Sequence, residues 1–158
     1  MTKTLAIDPD KCTSCRLCEL VCSERAVGAY RPSRSHMQVA IYADDAIYIP
    51  MVCMQCHDAP CMAVCPSGAL VRDPDTHAVL VLEERCVGCR MCALACPFGA
   101  ISYWDGKARK CDLCGGDPQC VQVCAPRALR YEVEERSSQP VRQAYADRLR
   151  DSLKEVAS

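Results

Sequence analysis

Apolar residues in this chain come in short runs and, until its end, in no long helical stripe. Four segments have strand character: Thr4 to Ile7, Ala46 to Ile49, Ala78 to Leu82 and Ile101 to Trp104. Each lies ahead of closely spaced cysteines. Between Leu70 and Leu82 two apolar runs flank Asp73-Pro74-Asp75, a turn-forming cluster, which predicts a hairpin. A tight helical turn is expected after the last cysteine of each set. Residues 31–45 read as a connector without cysteines. A helical period emerges only in the tail, 139–158. Pro140 suits a first helical turn, and Val141, Tyr145, Leu149, Leu153 and Val156 then recur at spacings of four and three. The pattern predicts an α+β fold of short β-hairpins and cysteine loops, without long helices, closed by a C-terminal helix.

Composition changes what such a fold needs. Of 158 residues, 16 are cysteine, while one Trp, six Tyr and one Phe are the whole aromatic complement. A core built from so few large side chains is thin, so something else must fasten the interior. The N-terminus has neither a signal-like apolar stretch nor a twin arginine, which leads us to expect a cytoplasmic setting. In a reducing compartment metal-bound thiolates are favoured over disulfides. Apolar runs fall short of the roughly 18 residues that cross a bilayer, so no membrane span is expected. With 19 Lys+Arg against 20 Asp+Glu, there is no basic field to hold nucleic acid.

The cysteines form four groups: Cys12, Cys15, Cys18, Cys22; Cys53, Cys56, Cys61, Cys65; Cys86, Cys89, Cys92, Cys96; and Cys111, Cys114, Cys120, Cys124. Every group opens with C-x2-C and closes with C-x3-C. At +4 and +5 from each fourth cysteine stand Ala26-Val27, Ala69-Leu70, Ala100-Ile101 and Ala128-Leu129. One module is thus used four times. The third group, ending in Cys96-Pro97, has the spacing of the bacterial ferredoxin run, in which three thiolates hold one [4Fe-4S] cluster and the fourth reaches another. Zinc sites also use C-x2-C, but as two separated pairs. Four complete quartets imply four [4Fe-4S] clusters with no cysteine left over. The cations Lys11, Arg85 and Lys110 precede the first cysteines of three groups, and Arg16 and Arg90 lie within two; they read as surface charge or as counter-charge to anionic clusters. The segment Cys53 to Cys61 has no Lys or Arg, so its cluster is expected to be among the lowest in potential. There is no phosphate loop, dinucleotide fingerprint or Ser-His-Asp order. His36, His57 and His77 are not expected to do chemistry, although His57, next to Cys56, could donate a hydrogen bond to a cluster.

These groups, with Cys53-Met54-Gln55-Cys56-His57-Asp58-Ala59-Pro60-Cys61 and Lys110-Cys111-Asp112-Leu113-Cys114, resemble the four-cluster ferredoxin-like electron-transfer subunits of the dimethyl sulfoxide reductase, formate dehydrogenase and hydrogenase-associated type. The resemblance covers about residues 5–132. It implies two bicluster ferredoxin-like modules in tandem: residues 1–30 with 105–135, and residues 46–104. It also implies crossed ligand sets: Cys12, Cys15, Cys18 with Cys124; Cys111, Cys114, Cys120 with Cys22; Cys53, Cys56, Cys61 with Cys96; and Cys86, Cys89, Cys92 with Cys65. Spacing alone leaves a pairing of the first group with the second open. Some members carry a three-iron cluster where a fourth-group cysteine is replaced, and Cys114 argues against that here. Two departures stand out: Ser23 follows Cys22 where proline is usual, and Pro126 comes one place late after Cys124. The compact chain looks like the cytoplasmic branch, which includes small subunits of tungsten aldehyde oxidoreductases.

The implied role is an electron-transfer subunit, not an enzyme by itself, in a complex that could depend on tungsten or molybdenum. Its expected partners are a catalytic oxidoreductase subunit and a further redox partner such as a flavin subunit or ferredoxin. A free soluble polyferredoxin and a structural zinc module are the alternatives. The stripe Val141, Tyr145, Leu149, Leu153 is the expected partner-binding element, with head-to-tail self-association as a further outcome.

Overall fold

The computed structural model describes residues 3–133 and, in the tail, Gln143, Ala146, Asp147, Arg150 and Lys154. Among the described residues eight strands form four separate two-stranded antiparallel sheets. β1 (Lys3–Ile7) pairs with β8 (Leu129–Val133), Lys3 opposite Val133 and Ile7 opposite Leu129. The other three are hairpins: β2 (Gln38–Tyr42) with β3 (Ile47–Met51), β4 (Leu70–Arg72) with β5 (Val79–Val81), and β6 (Ser102–Trp104) with β7 (Lys107–Arg109). A lone two-stranded ribbon is marginal in water, so each needs backing. Four helices supply some of it: α1 (Leu17–Val27) packs against α4 (Gln119–Gln122), and α2 (Pro60–Ala63) against α3 (Met91–Ala95).

The buried side chains form two clusters. One gathers Leu5, Met37, Val39, Val52, Leu113 and Leu129 with Cys18, Cys111 and Cys120. The other gathers Leu70, Val79, Ile101 and Ala108 with Cys61 and Cys92. Cysteines thus stand in the core where larger apolar side chains would otherwise be. The repeated Ala-aliphatic pair supplies the rest in three modules: Leu70, Ile101 and Leu129 are buried, whereas Val27 is exposed.

Local chemistry explains the turns. In the β4–β5 hairpin the Asp73 carboxylate accepts from Asp75 N, Thr76 N and Thr76 Oγ1 at 2.8–3.0 Å. These bonds hold the carboxyl below its ordinary pKa. The hairpin expected around Asp73-Pro74-Asp75 is present. The β6–β7 turn is Asp105-Gly106, both at positive φ, the pair that a two-residue hairpin favours.

Four features depart from expectation. The stretch read as a connector contains strand β2. Strand β7, which Asp105-Gly106 signals, and strand β8, which pairs across the fold with β1, lie outside the expected strands. The first module contains an eleven-residue helix, α1, where only loops and turns were expected. Its cause is Ser23: without a proline after Cys22 the helix runs on to Gly28, which caps it at φ 65°. The Ser23 hydroxyl donates to Leu20 O (2.8 Å) and accepts from Arg31 N (2.9 Å), fastening the next loop onto the helix. Glu19, 2% exposed, ties α1 to β2 by accepting from Arg16 Nε and from Val39 N.

The five described tail residues are helical, and Gln143 donates to Asp147 across one turn. Val141, Tyr145, Leu149, Leu153 and Val156 lie outside the described residues. No helix among the described residues is long and apolar enough to cross a membrane.

Candidate metal centres

In each C-x2-C loop the residue before the second cysteine lies in the left-handed region. These residues are Ser14 (φ 56°), Gln55 (49°), Gly88 (72°) and Leu113 (56°), and in the fourth loop Cys114 itself (φ 54°) is left-handed too. Left-handed backbone is uncomfortable for non-glycine residues, so its recurrence at one position marks a constraint shared by the four loops. Alternation of right- and left-handed residues turns successive N–H groups inward and makes an anion-binding nest. At Gly88 there is a second reason for glycine: a Cβ would come within 2.3 Å of Tyr103 Oη and 2.5 Å of Gly106 O.

The middle gap sets how the chain reaches the third cysteine. Where it is two residues, a left-handed Arg16 or Arg90 starts the helix. Where it is longer, the chain enters extended, through Ala59-Pro60 in the second group and Pro118 in the fourth. By both routes the third cysteine, Cys18, Cys61, Cys92 or Cys120, is buried. After the fourth cysteine of the last three groups, an N–H three residues on closes a turn onto the cysteine carbonyl: Gly68 on Cys65, Gly99 on Cys96 and Arg127 on Cys124. The first group has no such turn because α1 occupies its place.

All sixteen thiols are free, and they meet across groups. Cys22 joins Cys111, Cys114 and Cys120 around a cavity of about 360 Å³. Cys96 joins Cys53, Cys56 and Cys61 around a second, and Cys65 joins Cys86, Cys89 and Cys92 around a third. Cys18 is close enough to Cys15 and Cys124 for their charges to raise it.

The donor set fits iron–sulfur clusters. Backbone N–H groups of His36, Ala69 and Leu113 donate to Sγ of Cys22, Cys65 and Cys111 at 3.3–3.4 Å, the kind of hydrogen bond that tunes such clusters. Burial pushes the Cys18 thiol up to about 11 and Cys111 to about 12, and raises Cys120 as well. Alone, these thiols would stay protonated; a metal's positive charge is what allows them to ionise. Among the described residues no three His, Cys, Asp or Glu side chains converge as a single metal ion requires.

The histidines do not gather at one site. His57 is fully exposed beside Asp58, and His77 sits in the β4–β5 turn. The His36 ring stacks on Trp104 at 5.3 Å and lines the Cys22 cavity. Lys11, Arg85, Arg16 and Arg90 are exposed. Lys110 is instead buried and lines the Cys53 cavity. The potential expected for that cluster counted only charges adjacent in sequence, and Lys110 overturns its premise.

Known proteins point the same way. Residues 44–134 match the family model of the 4Fe-4S dicluster domain, and residues 5–27 that of the 4Fe-4S binding domain. The aliphatic sulfonate oxidoreductase polyferredoxin-like subunit of Pyrococcus furiosus is 44% identical over 122 residues, covering 76% of this chain and 70% of the relative. The electron transport protein HydN of Escherichia coli (strain K12) is 32% identical, covering 82% and 87%. Among solved structures, the active site complex BamBC of benzoyl coenzyme A reductase as isolated is 26% identical, with a TM-score of 0.48 and 97% of each chain covered. With a dicluster match over more than half its length and relatives of this similarity, the chain belongs to the 4Fe-4S dicluster family of ferredoxin-like electron-transfer proteins.

Proposed function

We propose that this chain relays single electrons through four [4Fe-4S] clusters between a catalytic oxidoreductase subunit and a redox partner. The proposed ligand sets are Cys12, Cys15, Cys18, Cys124; Cys22, Cys111, Cys114, Cys120; Cys53, Cys56, Cys61, Cys96; and Cys65, Cys86, Cys89, Cys92. The observation that carries this reading is the lining of three cavities by one fourth cysteine and three cysteines of another group. Neighbour pairing of the first group with the second has no such support.

The sets follow one another in a row. Cys18 of the first set acts on Cys120 of the second, Cys53 of the third on Cys111 of the second, and Cys61 of the third on Cys92 of the fourth. When bound, the clusters supply one-electron redox chemistry, each exchange oxidising one and reducing its neighbour. The polypeptide holds neighbouring sets close and lets the backbone reach their sulfurs. Exposed thiols occur only in the two outer sets, at Cys15 and Cys89, which makes these the ports for partners.

The two modules of this reading are residues 1–30 with 105–135, and 46–104, with 31–45 between them. Relatives named as subunits, such as that of Pyrococcus furiosus, favour a catalytic partner over a freely diffusing carrier. A tungsten or molybdenum centre in that partner and a cytoplasmic setting, to which free thiols are suited, complete the proposal. Anaerobic purification of the complex followed by iron and sulfide analysis tests it: about sixteen of each per chain are expected from four cubanes. Zinc in place of iron, or iron for two clusters, would refute it.

A further inference from the structure

Lys110 is 5% exposed, the only fully buried cation among the described residues. Its Nζ donates to the carbonyl oxygens of Val79 and Cys111, the latter at 2.7 Å, and to Gln55 Oε1 at 3.3 Å. All three acceptors are neutral. None of the ion pairs among the described residues includes Lys110. A buried ammonium without a counter-ion is costly, so its surroundings must supply negative charge. No carboxylate pairs with it, and thiols line the cavity it faces. Lys110 lines the cavity of Cys53, Cys56, Cys61 and Cys96, and it adjoins Cys111 of the cavity shared with Cys22, Cys114 and Cys120.

Gln55 fixes the lysine there. Its Nε2 donates to Cys111 O at 2.9 Å, while its Oε1 accepts from Val79 N at 2.8 Å as well as from Lys110. Cys111, Val79 and Gln55 are thus bound into one network around the ammonium.

We propose that Lys110 is the electrostatic bridge of the relay, its ammonium raising the reduction potentials of both inner clusters, held by the Cys53 and Cys111 sets. A cation beside a cluster stabilises the electron that reduction adds. The sign is opposite to that expected from the local sequence around Cys53. This inference rests on the four-cluster reading and names the two clusters of the row whose potentials depend on Lys110.

The test is an EPR-monitored redox titration of the anaerobic complex carrying wild-type protein, Lys110→Met, Lys110→Arg or Gln55→Glu. Iron and sulfide are counted first. Wild type with fewer than four clusters would bring down the four-cluster reading and this inference with it. With four clusters present, Lys110→Met should lower two midpoints, each by at least a tenfold change in the oxidised-to-reduced ratio, about 59 mV for one electron, and leave two in place. Gln55→Glu keeps the side-chain volume and sets a carboxylate against the ammonium, so the same two midpoints should fall. Lys110→Arg retains the charge and should keep all four near wild type. Full iron with no midpoint moved, or with only one moved, overturns the proposal. If Lys110→Met does not retain its clusters, Gln55→Glu decides, and loss of iron in that variant also counts against the bridge.

Discussion

The first and third cysteine groups have the same spacing, C-x2-C-x2-C-x3-C, yet their chains part company at one residue. Both use a left-handed arginine, Arg16 or Arg90, to start the helix that carries the third cysteine. In the third group Pro97 follows Cys96; α3 ends at Ala95, and Gly99 closes a turn that delivers Ile101 to the core. In the first, Ser23 allows α1 to run five residues past Cys22, and Val27, the counterpart of Ile101, is left exposed. Ligand spacing therefore specifies the loop around the metal, while the residue after the fourth cysteine decides where the chain goes next.

The most disruptive way to probe that comparison is at the fourth cysteines. Cys96→Ser is expected to disturb the cluster of Cys53, Cys56 and Cys61, and Cys22→Ser that of Cys111, Cys114 and Cys120. In each, iron should fall from about sixteen toward about twelve per chain. If EPR instead shows damage to the cluster of the mutated cysteine's own group, the crossed arrangement is wrong.

Next comes the branching residue itself. Ser23→Pro places proline inside α1 and should cost about 3 kcal/mol or more. Pro97→Ser, at a site where the helix has already stopped, should stay within about 1 kcal/mol. Anaerobic thermal unfolding compares the two; equal losses would contradict the account given for α1.

A third pair lies inside the loops. Gly88→Ala brings a Cβ against Tyr103 Oη and Gly106 O in a left-handed residue, and should cost about 2–4 kcal/mol. The matching Ser14→Gly relieves strain and should stay within about 1 kcal/mol. Denaturation midpoints of the holoproteins decide it. Beyond the near-neutral Pro97→Ser and Ser14→Gly, the smallest loss is expected from Ser23→Ala, which keeps α1 but leaves Arg31 N without its hydroxyl partner, about 1–2 kcal/mol. A larger loss would mean that the hydroxyl does more than hold the loop.

What could be read from the amino-acid string was what depends on near neighbours. Thiol spacing, the Asp73 turn and the apolar pair after each fourth cysteine all act over a few residues, and the strands ahead of the groups lie close to where they were expected. Features that depend on distant contacts were not visible. Glu19 looks like an ordinary surface acid until Val39, twenty residues on, donates to it. Lys110 resembles Lys11 and Arg85 in sequence, but Gln55 and Val79 enclose it from across the fold. The signal for α1 is local, Ser23 standing where proline is usual, but that departure alone does not say how far the helix runs.

The pairing of β1 with β8 bears on the order in which the protein can be made. Lys3 leaves the ribosome well before Val133, its partner in the ladder, which follows 130 positions later. At a synthesis rate of roughly 5–20 residues per second, β1 waits on the order of ten seconds with its hydrogen-bonding groups unpaired. In the proposed ligand sets Cys12, Cys15 and Cys18 wait with it, because Cys124 arrives in the same late segment. The middle groups, Cys53 to Cys65 and Cys86 to Cys96, need no such delay. Assembly from the inside outward is the schedule this topology imposes, with β1 closing only after the groups that follow it.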